Sequence, residues 1–107
     1  MLIAIDVGNT QIYIGVFEGD KIKASFRRTS AAVVTADELG VFIKQALREN
    51  GIDPTKISAI AISSVVPVIT RSIVHCALKY FNIKPFVVNS TVKINLYSAG
   101  IDGASAI

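Results

Sequence analysis

Short apolar runs separated by turn residues make up the beginning of the chain. Residues 2–6 form a continuous apolar run that ends in an acidic residue, and residues 11–17 form a second run. A continuous run is typical of a strand that is buried on both faces of a sheet. Residues 21–28 instead alternate, as a half-exposed strand does, and we expect its inner face to carry Ile22, Ala24 and Phe26. The pattern predicts an antiparallel meander of three strands.

The apolar residues then recur at helical spacing. Thr35 and Glu38 match a capping box, in which each side chain accepts a hydrogen bond from the backbone of the other residue at the helix start. Asn50 and Gly51 are residues that typically end a helix. The inner side of this first helix is predicted to consist of Leu39, Phe42, Ile43, Ala46 and Leu47.

A further strand, a second helix and a last short strand complete the pattern. Residues 57–64 are small and β-branched, as in a buried strand, a helix is predicted over about 68–82, and residues 85–88 form a short strand. The inner side of the helix is predicted to consist of Ile73, Val74, Ala77, Leu78 and Phe81. Residues 94–97 are a weaker candidate for one more strand, and residues 98–107 have no clear period.

The elements follow the order β-β-β-α-β-α-β. Meandering strands followed by strands joined through helices predict one mixed sheet with helices packed on it. Because parallel crossovers are right-handed, the fourth and fifth strands should lie beside the first, which gives the strand order 3-2-1-4-5. We expect an α/β domain over residues 1–90, with residues 91–107 as a tail or as the start of a further domain.

Composition narrows the function classes. Hydrophobic residues make up 51% of the 107 and charged residues 18%, so a buried core is expected. The net charge of +3 is small and Arg27-Arg28 is the only adjacent basic pair, so we expect no nucleic-acid partner. One cysteine, Cys76, and one histidine, His75, exclude an intrachain disulfide and a Cys or His metal cluster. No apolar run approaches the length of a membrane span and no signal-peptide pattern is present, so we expect a cytoplasmic protein without membrane contact.

The stretch Asp6, Val7, Gly8, Asn9 and Thr10 carries the strongest chemical signal. Gly8 permits positive φ and Asn9 tolerates it, so the turn can present backbone N–H groups and the Thr10 hydroxyl to an anion. Asp6 can meet a phosphate favourably through Mg²⁺, which prefers one or two carboxylates together with phosphate oxygens and water. The same residues also suit an ordinary hairpin turn that binds nothing.

A second polar position lies at the end of the fourth predicted strand. Ser63 and Ser64 come before Val65-Val66-Pro67, and open sheets bind ligands beyond the carboxyl ends of their strands. Since the first and fourth strands are adjacent in the predicted order, we expect Ser64 near Asp6 at the rim of a cleft. The alternative is a structural turn with a serine N-cap and a proline at the helix start.

Three separated stretches resemble one enzyme family, in the expected order. Residues 6–10, Asp-Val-Gly-Asn-Thr, look like the phosphate-binding hairpin of the acetate and sugar kinase/heat-shock cognate/actin superfamily, in the form seen in type III pantothenate kinases. Residues 35–40 and 62–67 are similar to the corresponding stretches of those kinases. The resemblance implies an actin-like (ribonuclease H-like) half-fold and ATP-dependent phosphorylation of pantothenate, the first step of coenzyme A synthesis.

The resemblance also implies ligands. Asp6 and residues 7–10 would hold the phosphates of ATP together with Mg²⁺. A monovalent cation, K⁺ or NH₄⁺, would bind in the complete protein, which is expected to form a homodimer or to self-associate.

The family's next motif is Gly-x-Asp-Arg, whose aspartate is the general base for the attacking hydroxyl. Gly100, Ile101 and Asp102 match its first three positions, and Gly103 stands where arginine is expected. The resemblance thus implies that Asp102 is the base and that Tyr97, Gly100 and Ile101 line the substrate site. Tyr97 lies only three residues before Gly100, closer than the corresponding tyrosine of the family.

The chain is shorter than the two-domain members of that family. We therefore expect an N-terminal fragment, inactive alone, whose adenosine-binding glycines and monovalent-cation site lie in a second domain. One alternative is a non-enzymatic accessory or regulatory protein on the same half-fold, which the length and Gly103 favour. Another is a folded relic without activity. A reading frame that continues into glycine-rich nucleotide motifs would favour the kinase.

Overall fold

The computed structural model of the chain describes residues 1–30 and 33–88. At its centre lies a mixed sheet of five strands: β1 (Leu2–Val7), β2 (Gln11–Glu18), β3 (Lys21–Thr29), β4 (Ala59–Ser64) and β5 (Phe86–Val87). The connections contain the helices α1 (Ala36–Glu49) and α2 (Pro67–Phe81) and a 3₁₀ turn, Pro54–Lys56. The strand order is β3-β2-β1-β4-β5, which confirms the predicted topology.

β1 is the central strand of the sheet. It runs antiparallel to β2 and parallel to β4, so that Ile3 lies opposite Val16 on one side and Ile60 on the other. Every residue of β1 after Leu2 is buried. The continuous apolar run had predicted this position, because only a strand covered on both faces can bury successive side chains.

Both helices pack on one face of the sheet, and the main core lies between them and the strands. The odd-numbered side chains of β1 and their neighbours on β2 and β4 form one cluster with the inner sides of α1 and α2. This cluster includes Ile3, Ile5, Ile14, Leu39, Ile43, Leu47, Ile60, Ile62, Ile69 and Ile73. The opposite face has small groups at its centre, where Ala4 lies opposite Gly15 and Ala61, and Ala4 packs with Phe17 there.

The ends of α1 follow the predicted signals. Thr35 Oγ1 accepts a hydrogen bond from the Glu38 N–H at 3.0 Å, and Glu38 Oε1 accepts one from the Thr35 N–H at 3.4 Å. Asn50 is the C-cap, and Gly51 follows it with a φ of +72°. A non-glycine residue would be strained at that φ, so the glycine explains where the helix ends.

The two helices approach each other closely at Gly40. A Cβ atom at Gly40 would overlap the ring of Tyr80, which therefore occupies the space that a side chain would need. At the rim of this contact Lys79 Nζ and the Tyr80 hydroxyl each donate to Asp37 Oδ1 at 2.7 Å. These bonds, that of Lys79 first, hold the pKa of Asp37 below its usual value. Gly40 thus sets the distance between α1 and α2.

β3 departs from the predicted alternation at Lys23. Val16 pairs with Ala24 while Phe17 pairs with Ile22, so Lys23 is the additional residue of a β-bulge. Directly paired residues share a face, so the bulge places Ile22 on the face opposite Ala24 and leaves it 40% exposed. The prediction for Ile22 was wrong, because a period of two holds only where pairing is uninterrupted.

Other departures concern α2 and β4. The buried stripe of α2 consists of Ile69, Ile73, Cys76 and Ala77, whereas Leu78 is 48% exposed, contrary to prediction. The stripe is narrow, and Leu78 lies about 100° around the helix from Ala77. β4 begins at Ala59 rather than at residue 57, since Ile57 caps the 3₁₀ turn and its N–H donates to the Pro54 carbonyl at 3.2 Å. Burial raises the pKa of the Cys76 thiol to about 11, as suits an unreactive core cysteine.

Candidate active site

Asp6 lies near the end of β1, on the sheet face opposite the helices. Its side chain and that of Ser63 are the buried polar ones among residues 1–30 and 33–88, with exposed fractions of 6% and 5%. The register places Asp6 directly opposite Tyr13 of β2 and Ser63 of β4. A buried carboxylate is costly to keep ionised unless polar groups or a cation compensate it. The position therefore suits a carboxylate that meets a metal ion.

The turn between β1 and β2 is braced by the end of β3. The Gly8 N–H donates to the Gln11 carbonyl at 2.9 Å. The Ser30 hydroxyl donates to the Gly8 carbonyl at 2.8 Å, and the Ser30 N–H donates to the Thr10 carbonyl at 2.8 Å. Sequence analysis had assigned no role to Ser30, because its contact with the turn depends on strand pairing. These bonds direct two carbonyls of the turn towards the protein.

Asn9 and Thr10 form the exposed tip of this turn. Within the described part of the chain, neither of their N–H groups donates to a backbone carbonyl. With the carbonyls of Gly8 and Thr10 already bonded to Ser30, the tip presents the N–H groups of Asn9 and Thr10 to a ligand. Backbone N–H groups arranged in this way suit an anion.

The turn does not use the backbone freedom that its residues offer. Positive φ occurs in the described residues at Gly19, Gly51 and Asn82, and not at Gly8 or Asn9, which would permit it. A Cβ atom at Gly8 would meet only the Gln11 carbonyl oxygen, at an ordinary 3.5 Å. Neither conformation nor internal packing therefore requires glycine at this position. What Gly8 provides is a bare backbone that a ligand can approach closely.

Ser63, rather than Ser64, lies beside Asp6. The parallel register pairs Asp6 with Ser63 and Val7 with Ser64, so Ser64 belongs to the helix-facing side. Ser64 Oγ instead accepts from the Val66 N–H at 3.0 Å in the turn to α2. The N-cap of α2 is Val66, so the alternative of a serine N-cap was wrong, while Pro67 does begin the helix. The sequence could have indicated Ser63. If Ile60 and Ile62 face the core, the alternation of a strand places Ser64 on their side and Ser63 on the other.

Two more side chains continue the polar face across β2 and β3. Tyr13 donates its hydroxyl hydrogen to Gln11 Oε1 at 2.5 Å. Arg27, opposite Tyr13 on β3, donates from Nη1 to the Tyr13 hydroxyl at 3.1 Å, and its guanidinium carbon lies 5.6 Å from the ring centroid. Four polar residues thus lie directly opposite one another on four neighbouring strands. We call them the polar row: Ser63, Asp6, Tyr13 and Arg27.

Comparison of this sequence with known proteins identifies its family. The model of the type III pantothenate kinase family matches residues 2–101. The chain belongs to that family. It is 49% identical over 105 residues to the type III pantothenate kinase of Elusimicrobium minutum, covering 98% of the chain and 41% of the relative. It is 52% identical over 96 residues to that of Legionella pneumophila (strain Corby), covering 90% and 37% respectively. The chain thus spans well under half the length of these relatives.

A solved structure supports the fold independently. The ROK hexokinase from Thermus thermophilus superposes with a TM-score of 0.61 at 20% sequence identity, covering 82% of this chain and 33% of the hexokinase. At that identity the likeness concerns the fold alone. Together with the strand order, it confirms the actin-like half-fold that the resemblance had implied.

Several expected site residues of the pantothenate kinase family lie outside the described residues. These are Tyr97, Gly100, Ile101 and Asp102, together with Gly103, and their roles stay predictions. The boundary expected at residue 90 and the strand expected at 94–97 lie outside as well.

Among residues 1–30 and 33–88, no three His, Cys, Asp or Glu side chains lie close enough together to hold a metal. A Mg²⁺ ion at Asp6 would then take its other ligands from phosphate and water, which is the coordination that this ion prefers. No helix in the same residues has the length and apolar character needed to cross a membrane.

Proposed function

We propose that the protein to which this chain belongs transfers the γ-phosphoryl group of ATP to the primary hydroxyl of pantothenate. The observation that carries the proposal is the buried carboxylate of Asp6 beside an open Gly-Asn-Thr turn, in a chain of the type III pantothenate kinase family. The relatives bearing that name are more than twice as long, since the chain covers 41% of one and 37% of another. The remaining length would supply the adenosine pocket.

Each part of the described site has a role in this reaction. Asp6 would hold Mg²⁺ directly or through water, and bound Mg²⁺ neutralises charge on the phosphates. The N–H groups of Asn9 and Thr10 and the Thr10 hydroxyl would bind the phosphate oxygens, with Val7 and Gly8 at the base of the turn and Ser64, at the end of β4, at the cleft rim. Phosphoryl transfer depends mainly on positioning and electrostatic stabilisation, which a braced turn on a rigid sheet can provide.

The acceptor side of the proposal rests on the family resemblance. Asp102 would be the general base for the pantothenate hydroxyl, and Tyr97, Gly100 and Ile101 would contact the substrate. K⁺ or NH₄⁺ would bind in the remaining part of the protein, which would act in the cytoplasm as a homodimer. Gly103 leaves out the arginine that the family pattern expects, so substrate recognition would differ there.

The experiment is a coupled ADP-release assay on the full-length protein with ATP, Mg²⁺ and K⁺. We expect ADP release that depends on added pantothenate and stops when EDTA removes the divalent ion. Release that is the same with and without pantothenate would contradict the proposal. A stably folded full-length protein without turnover would favour the accessory or regulatory alternative.

A further inference from the structure

The polar row contains a cation that the proposed reaction does not yet use. Arg27 contacts Tyr13. In the described part of the chain, no carboxylate forms an ion pair with Arg27 at a distance of 4.0 Å or less. The ion pairs found there, Lys23–Glu18 and Lys79–Asp37, involve other side chains. An arginine on the site face without a counter-ion is a candidate contact for an anionic ligand.

The guanidinium of Arg27 is held in place before any ligand arrives. Its Nη1 donates to the Tyr13 hydroxyl at 3.1 Å, while the same ring lies 5.6 Å from its guanidinium carbon. The Tyr13 hydroxyl is itself oriented by Gln11 Oε1, at 2.5 Å. Arginine normally loses much rotamer freedom when it binds an anion, and a guanidinium that is already stacked and bonded loses less.

Arg27 lies within reach of a ligand that is bound at Asp6. Tyr13 is directly opposite both residues, so Asp6 and Arg27 are two strand spacings apart, about 10 Å between their Cα atoms. The Arg27 side chain reaches Tyr13 on β2, the strand that lies between Arg27 and Asp6. Mg²⁺ lies about 2.1 Å from its oxygen ligands, and an arginine–phosphate bond spans about 2.8 Å. Tyr13 lies between the two residues, so a polyphosphate that contacts both side chains would lie over Tyr13.

We propose that Arg27 binds phosphate oxygens of the same nucleotide whose Mg²⁺ lies at Asp6, with Tyr13 as the residue that positions it. The inference rests on the proposed function and adds a residue to it. The carboxylate of the acceptor offers a similar pair of anionic oxygens. Arg27 favours the phosphates because it shares a face with Asp6 and lies near Thr29, whose partner Gln11 adjoins the phosphate-binding turn.

The next residue of β3 offers a matched control. Arg28 has the same charge, but it faces the helices, where its guanidinium carbon lies 5.0 Å from the Phe42 ring centroid. Changing Arg28 to Gln removes one positive charge from the same strand without changing the polar row. A difference between the two variants therefore reports the position of the charge and not the net charge.

The test compares full-length wild type with Arg27→Gln, Arg27→Lys and Arg28→Gln. We expect Arg27→Gln to lower kcat/KM for ATP by ~10- to 100-fold, as for the loss of one charged donor at a phosphate. Arg27→Lys keeps the positive charge but not the planar guanidinium with its paired donors. Its kcat/KM for ATP should therefore fall less than that of Arg27→Gln. In calorimetric titrations, Arg27→Gln should weaken the binding of a non-hydrolysable ATP analogue and leave the affinity for AMP unchanged. Arg28→Gln should resemble wild type in each measurement.

Other outcomes would overturn the assignment. An Arg27→Gln variant with unchanged kcat/KM for ATP and unchanged analogue affinity would show that Arg27 is a surface cation only. A rise in KM that is confined to pantothenate would instead assign Arg27 to the acceptor carboxylate. If the wild type failed to phosphorylate pantothenate, the proposed function would fail, while the titrations with the ATP analogue would still decide on Arg27.

The role of Tyr13 is tested with Tyr13→Phe, which keeps the ring and removes the hydroxyl. We expect a smaller loss in the same direction, and less than additive effects when it is combined with Arg27→Gln. Fully additive effects would show that Tyr13 does not act through Arg27.

Discussion

At the scale of single residues, Asp6 stands out because its carboxylate is buried. Its neighbours on β1 are apolar, and its side chain is 6% exposed in the central strand of the sheet. Removing a carboxylate from water costs several kcal/mol before partners compensate it, so an apolar residue would be the simpler choice. Gly8 is similar, since a side chain would fit there without a clash. The nucleotide proposed above would account for both residues.

Asp6→Asn in the full-length protein tests this explanation. Asn keeps the shape of the side chain but cannot bind Mg²⁺ as a charged ligand, so we expect kcat to fall by at least ~100-fold. The thermal midpoint should stay the same or rise, because a buried charge has been removed. Asp20→Asn, in the exposed turn between β2 and β3, is the control and should leave kcat unchanged. Near-normal turnover of Asp6→Asn would reduce Asp6 to a turn residue.

At the scale of secondary-structure elements, hydrogen bonds connect α2 with the segment before α1 and with the end of β1. The Ser72 hydroxyl on α2 donates to the Val34 carbonyl, just before α1, at 2.7 Å. The segment leading into α2 pairs with β1, since the Val65 N–H donates to the Val7 carbonyl at 3.1 Å. The packing of α2 on α1 at Gly40 therefore helps to hold the segment beside the phosphate-binding turn.

Gly40→Ala should destabilise the protein although alanine favours helices. The helix propensity gained is about 1 kcal/mol, but the added methyl group would overlap the Tyr80 ring, and overpacking costs about 1–3 kcal/mol. We expect a lower urea midpoint for the full-length variant. In a Tyr80→Ala background the space is empty, so the same change should be neutral or stabilising. A higher midpoint for Gly40→Ala alone would mean that the helices are not in close contact.

At the scale of the whole molecule, the described chain would offer only one side of the proposed nucleotide site. The sheet face that carries Asp6 has small groups near its centre, and the edge strand β5 exposes Phe86 and Val87 by 52% and 62%. The chain covers 41% of the Elusimicrobium minutum relative, so most of such a protein lies beyond these residues. Enclosing the nucleotide and excluding water would require that remaining part.

Residues 1–107 expressed alone are therefore expected to show no pantothenate-dependent ADP release under conditions in which the full-length protein is active. Exposed apolar residues on the edge strand should also lead to self-association, which sedimentation velocity would detect. Adding the missing part as a separate chain should restore some turnover if the two associate. Activity of residues 1–107 close to that of the full-length protein would show that the described half and its tail form a complete site.

The sequence by itself determined the strand order, the ends of α1, the central place of β1 and the position of the turn between β1 and β2. These follow from local signals, namely apolar period, capping residues and turn residues, which act within a few positions of the chain. Only the tertiary structure decided that Ser63 lies beside Asp6, that Lys23 forms a bulge and that Ser30 braces the turn. Such features depend on the register between strands that are distant along the chain. The same holds for Arg27, whose place opposite Tyr13 no local pattern specifies.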